Sequence, residues 1–130
     1  MSALKVARDL AIEAGKSFSS PYDLVAWLLP RDPQLAAQAL LACCDPAEHV
    51  GSNVIVKTVG EIIVGTMIAA DGATLMLYPA VWAADTGRWN QCLLEGTLQE
   101  VEPYCDPVLV SRGAIVAWTA WRHAVPTDVR

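Results

Sequence analysis

Apolar positions recur at helical spacing from Ala3 to Phe18. Leu4, Ala7, Leu10, Ala11, Ala14 and Phe18 share one side, while Lys5, Arg8, Asp9 and Glu13 fall mostly elsewhere. Gly15 and the polar Ser17, Ser19 and Ser20 end that helix. Ser20-Pro21 opens a second: serine caps, proline is tolerated at the first helical position, and Asp23 favours the dipole. Val25, Trp27, Leu28 and Leu29 form its apolar side, and Pro30 stops it. Asp32-Pro33 repeats the device for a helix from Gln34 to about Cys44. Asp45-Pro46 with Glu48 reads as a capping box for a last short turn. Residues 1–49 therefore read as a helical unit. Its four basic residues, Lys5, Arg8, Lys16 and Arg31, face six acidic ones, a poor balance for phosphate contacts. Trp27 reads as a core or interface anchor.

The period changes at Val50-Gly51, and residues 50–130 read as a small β domain. NVIVKTV and EIIVGTMIA are strands, with Gly60 as a turn and Gly65 as a bend or bulge. Asp71-Gly72 is a hairpin signal for a primed turn with positive φ at both positions, leading into ATLMLY. Pro79 ends the pairing of that strand or marks it as an edge. Asp85 or Thr86 caps a helix of Arg88 to Glu95, which Gly96 terminates in left-handed conformation. Leu98 to Pro103 is extended, Val108–Val110 and Ala114–Trp121 are strands, and the tail from Val125 frays. The last strand is apolar on both faces, which predicts burial on both, under the helical unit or another subunit. The fold class is thus α+β: an N-terminal helical unit, then a small, strongly bent five-stranded β-barrel-like domain with one helical insertion.

Composition adds a partner. At 130 residues, a chain with 54% hydrophobic and 18% charged residues has more apolar surface than a small domain hides easily, which predicts a homo-oligomer. The net charge of −5 argues against broad nucleic-acid binding. No apolar run approaches the roughly 18 residues of a membrane span, and the amphipathic start does not resemble a signal peptide, which predicts a cytoplasmic protein. Cys43, Cys44, Cys92 and Cys105 contain no CxxC pair and read as reduced thiols. Cys43, Cys44 and His49 match no common zinc spacing, so no metal is expected.

Candidate chemistry concentrates in Val81–Gly96, VWAADTGRWNQCLLEG, with two of the five tryptophans. Asp85-Thr86-Gly87 has the letters of the aspartic protease triplet. Yet it follows Ala83-Ala84, and Arg88 would hold the carboxylate ionised, so capping is the better role. Neither His49 nor His123 has a nucleophile placed beside it by a known motif, and no glycine-rich phosphate loop is present. No catalytic residue is expected. The start of the 87–95 helix together with Arg88 can hold an anion, and Trp82 and Trp89 offer faces for stacking a base. Arg112 and Trp121-Arg122-His123 supply a second cation-and-aromatic set.

From Val54 to Pro126 the segments IVKTV, GTMIAADGATLMLYPAVWAADTGRW, LLEGTLQEVEPY and SRGAIVAWTAWRHAVP resemble a family of small bacteriophage proteins, the anti-Thoeris sponges. The shared features are an aromatic-led ADTGR-aromatic loop, an EVEP-like segment and a final strand ending in W-x-H-x-x-P. The resemblance implies a phage-encoded, non-enzymatic binder in the host bacterial cytoplasm. It would sequester a cyclic nucleotide immune signal of cyclic ADP-ribose type, with cyclic oligonucleotides as further ligands, and without a cofactor. It also implies a dimer or hexamer with the ligand between subunits. The matching positions are Lys57, Thr58, Trp82, Asp85, Thr86, Gly87, Arg88, Trp89, Arg112, Trp121 and His123, of which Lys57, Trp82, Asp85, Thr86, Arg88, Trp89, Arg112, Trp121 and His123 are the candidate ligand-binding residues. Arg88 and Arg112 are expected at pyrophosphate, and Trp89 or Trp82 on the adenine. Lys57 stands where arginine is usual, keeping the charge but losing the bidentate fork. Two other readings use the same surface: a protein–protein module acting on a host defence complex or in virion assembly, and an Sm-like RNA binder.

Overall fold

The computed structural model describes residues 3–18, 21–42 and 46–130. The caps expected at Ser20 and Asp45, and Cys43 and Cys44, lie outside them. The chain divides into two compact units, Met1–Glu48 and His49–Arg130, beside the change of period at Val50.

The first unit contains α1 (Ala3–Glu13), α2 (Pro21–Leu28) and α3 (Pro33–Ala42). Asp32 accepts the Leu35 N–H at 3.0 Å, so the Asp-Pro device starts α3 as expected. Ala7, Ala11, Ala36 and Ala39 are buried with Leu24, Val25 and Leu28. Small side chains at these positions let the helices approach closely. Trp27 packs on Phe18, ring centroids 5.8 Å apart, and carries the Arg31 guanidinium 4.6 Å above its ring.

The second unit is built on an antiparallel sheet of six strands among the described residues: β1 (Asn53–Thr58), β2 (Ile62–Ala70), β3 (Thr74–Asp85), β4 (Glu100–Pro103), β5 (Val108–Ser111) and β6 (Ile115–Ala120). The order is β4-β3-β2-β1-β6, with β5 also on β3, and the sheet does not close. Five strands were expected. The sixth is the EVEP segment, which pairs because β3 continues past Pro79 instead of ending there. Residues 74–77 of β3 pair with β5, and residues 81–85 pair with β4. Pro79, in a cis peptide bond, sits between the two partners, where its missing N–H costs no ladder bond.

Gly65 makes the bend in the facing strand. The β2–β3 register shifts between Gly65 and Met67, and a Cβ at Gly65 would lie 2.9 Å from Ala80 Cβ and 2.9 Å from the Pro79 carbonyl. The hairpin at Asp71-Gly72 forms without positive φ at either residue. Instead Asp71 Oδ1 accepts the N–H groups of Ala73 and Thr74, both at 2.8 Å, so the carboxylate closes the turn.

Two apolar clusters occupy opposite faces of the sheet. Val54, Val56, Ile63, Met67, Leu75, Leu77, Ala80 and Val110 make one; Ile55, Val64, Val81, Ala83, Cys92, Leu98, Val101 and Trp121 make the other. The strand buried on both faces is β1, where Val54, Ile55 and Val56 are all 1% exposed or less. The final strand, β6, was expected in that role. It is an edge strand, with Val116 63% exposed, so an apolar alternation alone does not bury both of its faces. The tail is also held: Arg130 N–H meets the Val101 carbonyl at 3.0 Å, and Val101 N–H meets Arg130 O at 3.2 Å.

Two outcomes follow. Gly65→Ala destabilises the second unit by about 1–3 kcal/mol through overpacking against Ala80 and Pro79, read as a lowered urea midpoint. The Asp71 carboxyl is held below its ordinary value of 3.8 by the Ala73 and Thr74 N–H groups. Its contribution is therefore complete above the unfolded pKa and disappears as pH falls through the lower folded one. The difference in unfolding midpoint between the protein and Asp71→Ala is largest near neutral pH and shrinks as the pH is lowered below about 5.

Candidate functional site

The stretch after β3 forms a turn and then a helix. Asp85 Oδ1 accepts the Gly87 N–H at 2.8 Å, and the Asp85 carbonyl accepts the Gln99 N–H at 2.9 Å. Thr86 Oγ1 donates to the Gly87 carbonyl at 3.1 Å. Neither side chain caps the helix, contrary to expectation. Gly87, at φ 67°, adds a left-handed step, so the helix α4 begins at Trp89 with Arg88 as N-cap and no side-chain cap bond. At seven residues, Trp89–Glu95, α4 is also too short to supply the strong anion-binding terminus expected of it. Gly96 ends it at φ 73° with its N–H on the Cys92 carbonyl, as its sequence signal predicts.

What holds α4 on the sheet is the segment after β6. His123 Nε2 lies 2.9 Å from the Leu93 carbonyl, which fits an Nε2–H donor, and its ring covers Gly96, where an added Cβ would come within 2.6 Å. Trp121 meets the His123 ring edge-on at 5.0 Å and gives its indole N–H to the Ala124 carbonyl at 3.1 Å. Asn53 ties this segment to the sheet. Its amide donates to the His123 carbonyl at 3.1 Å, its carbonyl accepts the Trp121 N–H at 2.9 Å, and its Oδ1 accepts from Thr66 at 2.6 Å. Trp121 is 3% exposed and belongs to the core, so no stacking face is left on it for a ligand. His123 is a fastener of α4.

Between α4 and the β1–β6 pair lies a hollow of about 200 Å³, lined by Ile55, Lys57, Trp89, Leu93, Ala117, Trp118 and Thr119. Its floor follows from the pleat: Lys57 pairs with Ala117 and Ile55 with Thr119, so all four project to the same face. Trp118, between those two strand positions, turns its ring to the other face, 5.2 Å from His49 and edge-on to it. Trp89 forms the α4 wall and is 43% exposed. Lys57, an exposed cation at the rim, thus shares one hollow with an indole.

The other expected site residues scatter. Trp82 pairs with Ile63 of the opposite cluster, so it projects from the other face, 38% exposed, away from Trp89. Arg88 is exposed next to Trp89 in the chain. Arg112 follows β5, whose Ser111 pairs with Thr74 at the start of β3, whereas Arg88 follows the end of β3. The two arginines thus adjoin opposite ends of β3. The floor residues Ile55, Ala117 and Thr119 and the clamp residue Asn53 carry no sequence signal beyond strand alternation.

Burial raises the pKa of the Cys92 thiol above its ordinary 9.0, so it packs as a protonated hydrophobe beneath α4, while Cys105 is a free, exposed thiol. No cluster of three or more metal-ligating side chains occurs among the described residues, and no described helix is long and apolar enough to cross a membrane. No family model matches the chain, and no curated protein matches it.

The clamp is testable by paired glycine changes. Gly51 and Gly96 both have positive φ, at 95° and 73°, but only Gly96 has a neighbour that an added Cβ would strike. Both Gly→Ala changes carry the roughly 1–2 kcal/mol of left-handed strain. Gly96→Ala costs a further 1 kcal/mol or so for displacing His123, seen in urea midpoints and in a chemical-shift change of the His123 ring.

Proposed function

We propose that this protein is a phage-encoded capture protein that sequesters a cyclic nucleotide signal without cleaving it. The observation that carries this reading is the hollow in which the Trp89 indole stands beside the Lys57 ammonium. An indole stacks any base, at roughly 1–3 kcal/mol per base, and an ammonium neutralises a phosphate as a point charge. The resemblance of the ADTGRW loop and the W-R-H ending to the anti-Thoeris sponges supports the same ligand class, and names cyclic ADP-ribose-type molecules within it. Lys57 joins Arg88 and Arg112 in the phosphate role, and Arg88 directly precedes Trp89 in the chain. Capture rather than turnover fits a site whose histidine is engaged with the Leu93 carbonyl and whose Asp85 closes a turn. A homo-oligomer in the bacterial cytoplasm belongs to this reading. So does the small-barrel description of the sheet, which the change of partner along β3 supports.

The protein–protein module remains as a second reading because Trp82 and Tyr78, 38% and 46% exposed, stand outside the hollow on β3. Aromatic side chains of this kind anchor interfaces.

Incubation with a cyclic ADP-ribose-type signal, followed by heating and mass spectrometry of the supernatant, is expected to return the intact molecule. Trp89→Ala and Lys57→Ala each weaken binding roughly tenfold or more, whereas Trp82→Ala leaves it unchanged. Hydrolysed product, or no binding by the unaltered protein, overturns the proposal. Trp82→Ala acting in place of Trp89→Ala moves the site to the other face.

A further inference from the structure

The face of the sheet opposite the hollow sets aromatic rings among acids. Trp82 of β3, 38% exposed, stands opposite Glu102 of β4 and Ile63 of β2. Residues paired in this way share a face, with Cβ atoms about 5 Å apart. The Tyr104 N–H meets the Ala80 carbonyl at 2.9 Å, so the ladder runs on past Pro103. Alternation then returns Tyr104, 36% exposed, to the face of Glu102. Glu61 directly precedes β2, two residues before Ile63. Burial and, after it, the Glu61 carboxylate raise the Tyr104 phenol above its ordinary 10.0, so that acid lies near the same ring. At the end of the β3–β4 ladder Asp85 pairs with Glu100, and like charges opposite one another are unfavourable until a cation joins them. Among the described residues, the Glu61, Glu100 and Glu102 carboxylates have neither a hydrogen bond nor an ion pair.

We infer that this face docks an arginine-bearing basic segment of another protein, with the guanidinium laid on the Trp82 indole and the carboxylates around it. Charge selects that occupant. The chain's net charge is −5, so a second copy is not complementary. The helical unit, with six acidic residues against four basic, is not complementary either. Nucleic acid and anionic lipid are repelled for the same reason. Arginine suits the face better than lysine. Its planar, weakly hydrated guanidinium stacks on an aromatic ring and keeps its edge N–H groups for carboxylates. The chain makes this contact within itself, where the Arg31 guanidinium lies 4.6 Å above the Trp27 ring. Trp82 is on the side of Ile63, whereas the hollow opens on the side of Ile55, so the docking face stands whether or not the hollow captures a nucleotide.

Fluorescence anisotropy of a labelled hexa-arginine peptide with the whole chain, at physiological salt, tests the docking. The unaltered protein is expected to bind it, and to bind hexa-lysine about fivefold or more weakly. Trp82→Leu removes the ring and not a charge, while Glu102→Gln removes a charge and not the ring. Each weakens hexa-arginine binding roughly fivefold. Glu95→Gln removes one charge from α4, on the hollow's side of the sheet, and changes binding by less than about twofold. Trp89→Ala, in the hollow, leaves it unchanged. Far-UV circular dichroism checks that each variant is folded, and Glu102→Gln, at an exposed position, decides the matter should Trp82→Leu fail to fold. No binding by the unaltered protein, equal affinity for hexa-lysine, or equal losses from Glu102→Gln and Glu95→Gln overturns the proposal.

Discussion

The contact on which the site depends is the reach of His123 back to the Leu93 carbonyl and over Gly96. Helix α4 is seven residues long and has no side-chain cap, and an isolated helix of that length does not hold itself in water. Its position must come from tertiary contacts. Cys92, at the middle of the helix, supplies one by burying beneath it at 0% exposure, and the His123 clamp supplies the other at its C-terminal end. Asn53 transmits the constraint, since it binds Thr66 of β2, Trp121 and His123 at once. The place of Trp89 beside Lys57 is therefore set by residues that never line the hollow.

The same economy governs the sheet. A nine-residue β2 and a twelve-residue β3 would, if straight, leave a flat ribbon with two exposed apolar faces. Gly65 removes one Cβ at the point where β2 faces Ala80, and β3 changes partner from β5 to β4 across Pro79. The bend lets one face close over Met67, Leu75 and Leu77 while the other receives α4. Burial of β1 on both faces follows from that arrangement, and its Lys57 end emerges at the rim because the pairing with β6 shifts there.

The sequence made the punctuation legible. Asp32-Pro33, Gly96 and Asp71-Gly72 each mark a start, stop or turn that the chain obeys, because caps and turns are decided by a few neighbouring residues. Even there the turn type at Asp71 escaped, since a carboxylate accepting two N–H groups substitutes for positive φ. Pro79 misled for a different reason. The cost of a proline in a strand depends on whether a partner needs its N–H, and that is a property of the whole sheet. The site divided along the same line. Trp89, Lys57, Trp82 and Arg112 all have suitable chemistry, but sheet register decides that the first two meet and the others part. Trp121 and His123, two residues apart in sequence, had been ligand candidates and became core and clamp.

The hollow consequently has two walls of unequal stability. Its floor is the β1–β6 ladder, with Ile55 at 1% exposure locked into the core. Its other wall is α4, held at Cys92 and at its C-terminal end, with Leu94 71% exposed. Elements with few buried contacts open at lower free energy than the domain unfolds, and binding sites draw on such elements. A ligand between Trp89 and Lys57 would add contacts to both walls, and α4, with the fewer of its own, would gain most from occupancy. If the hollow captures a ligand as proposed, tightening of this weaker wall against the fixed floor would act on the dissociation rate.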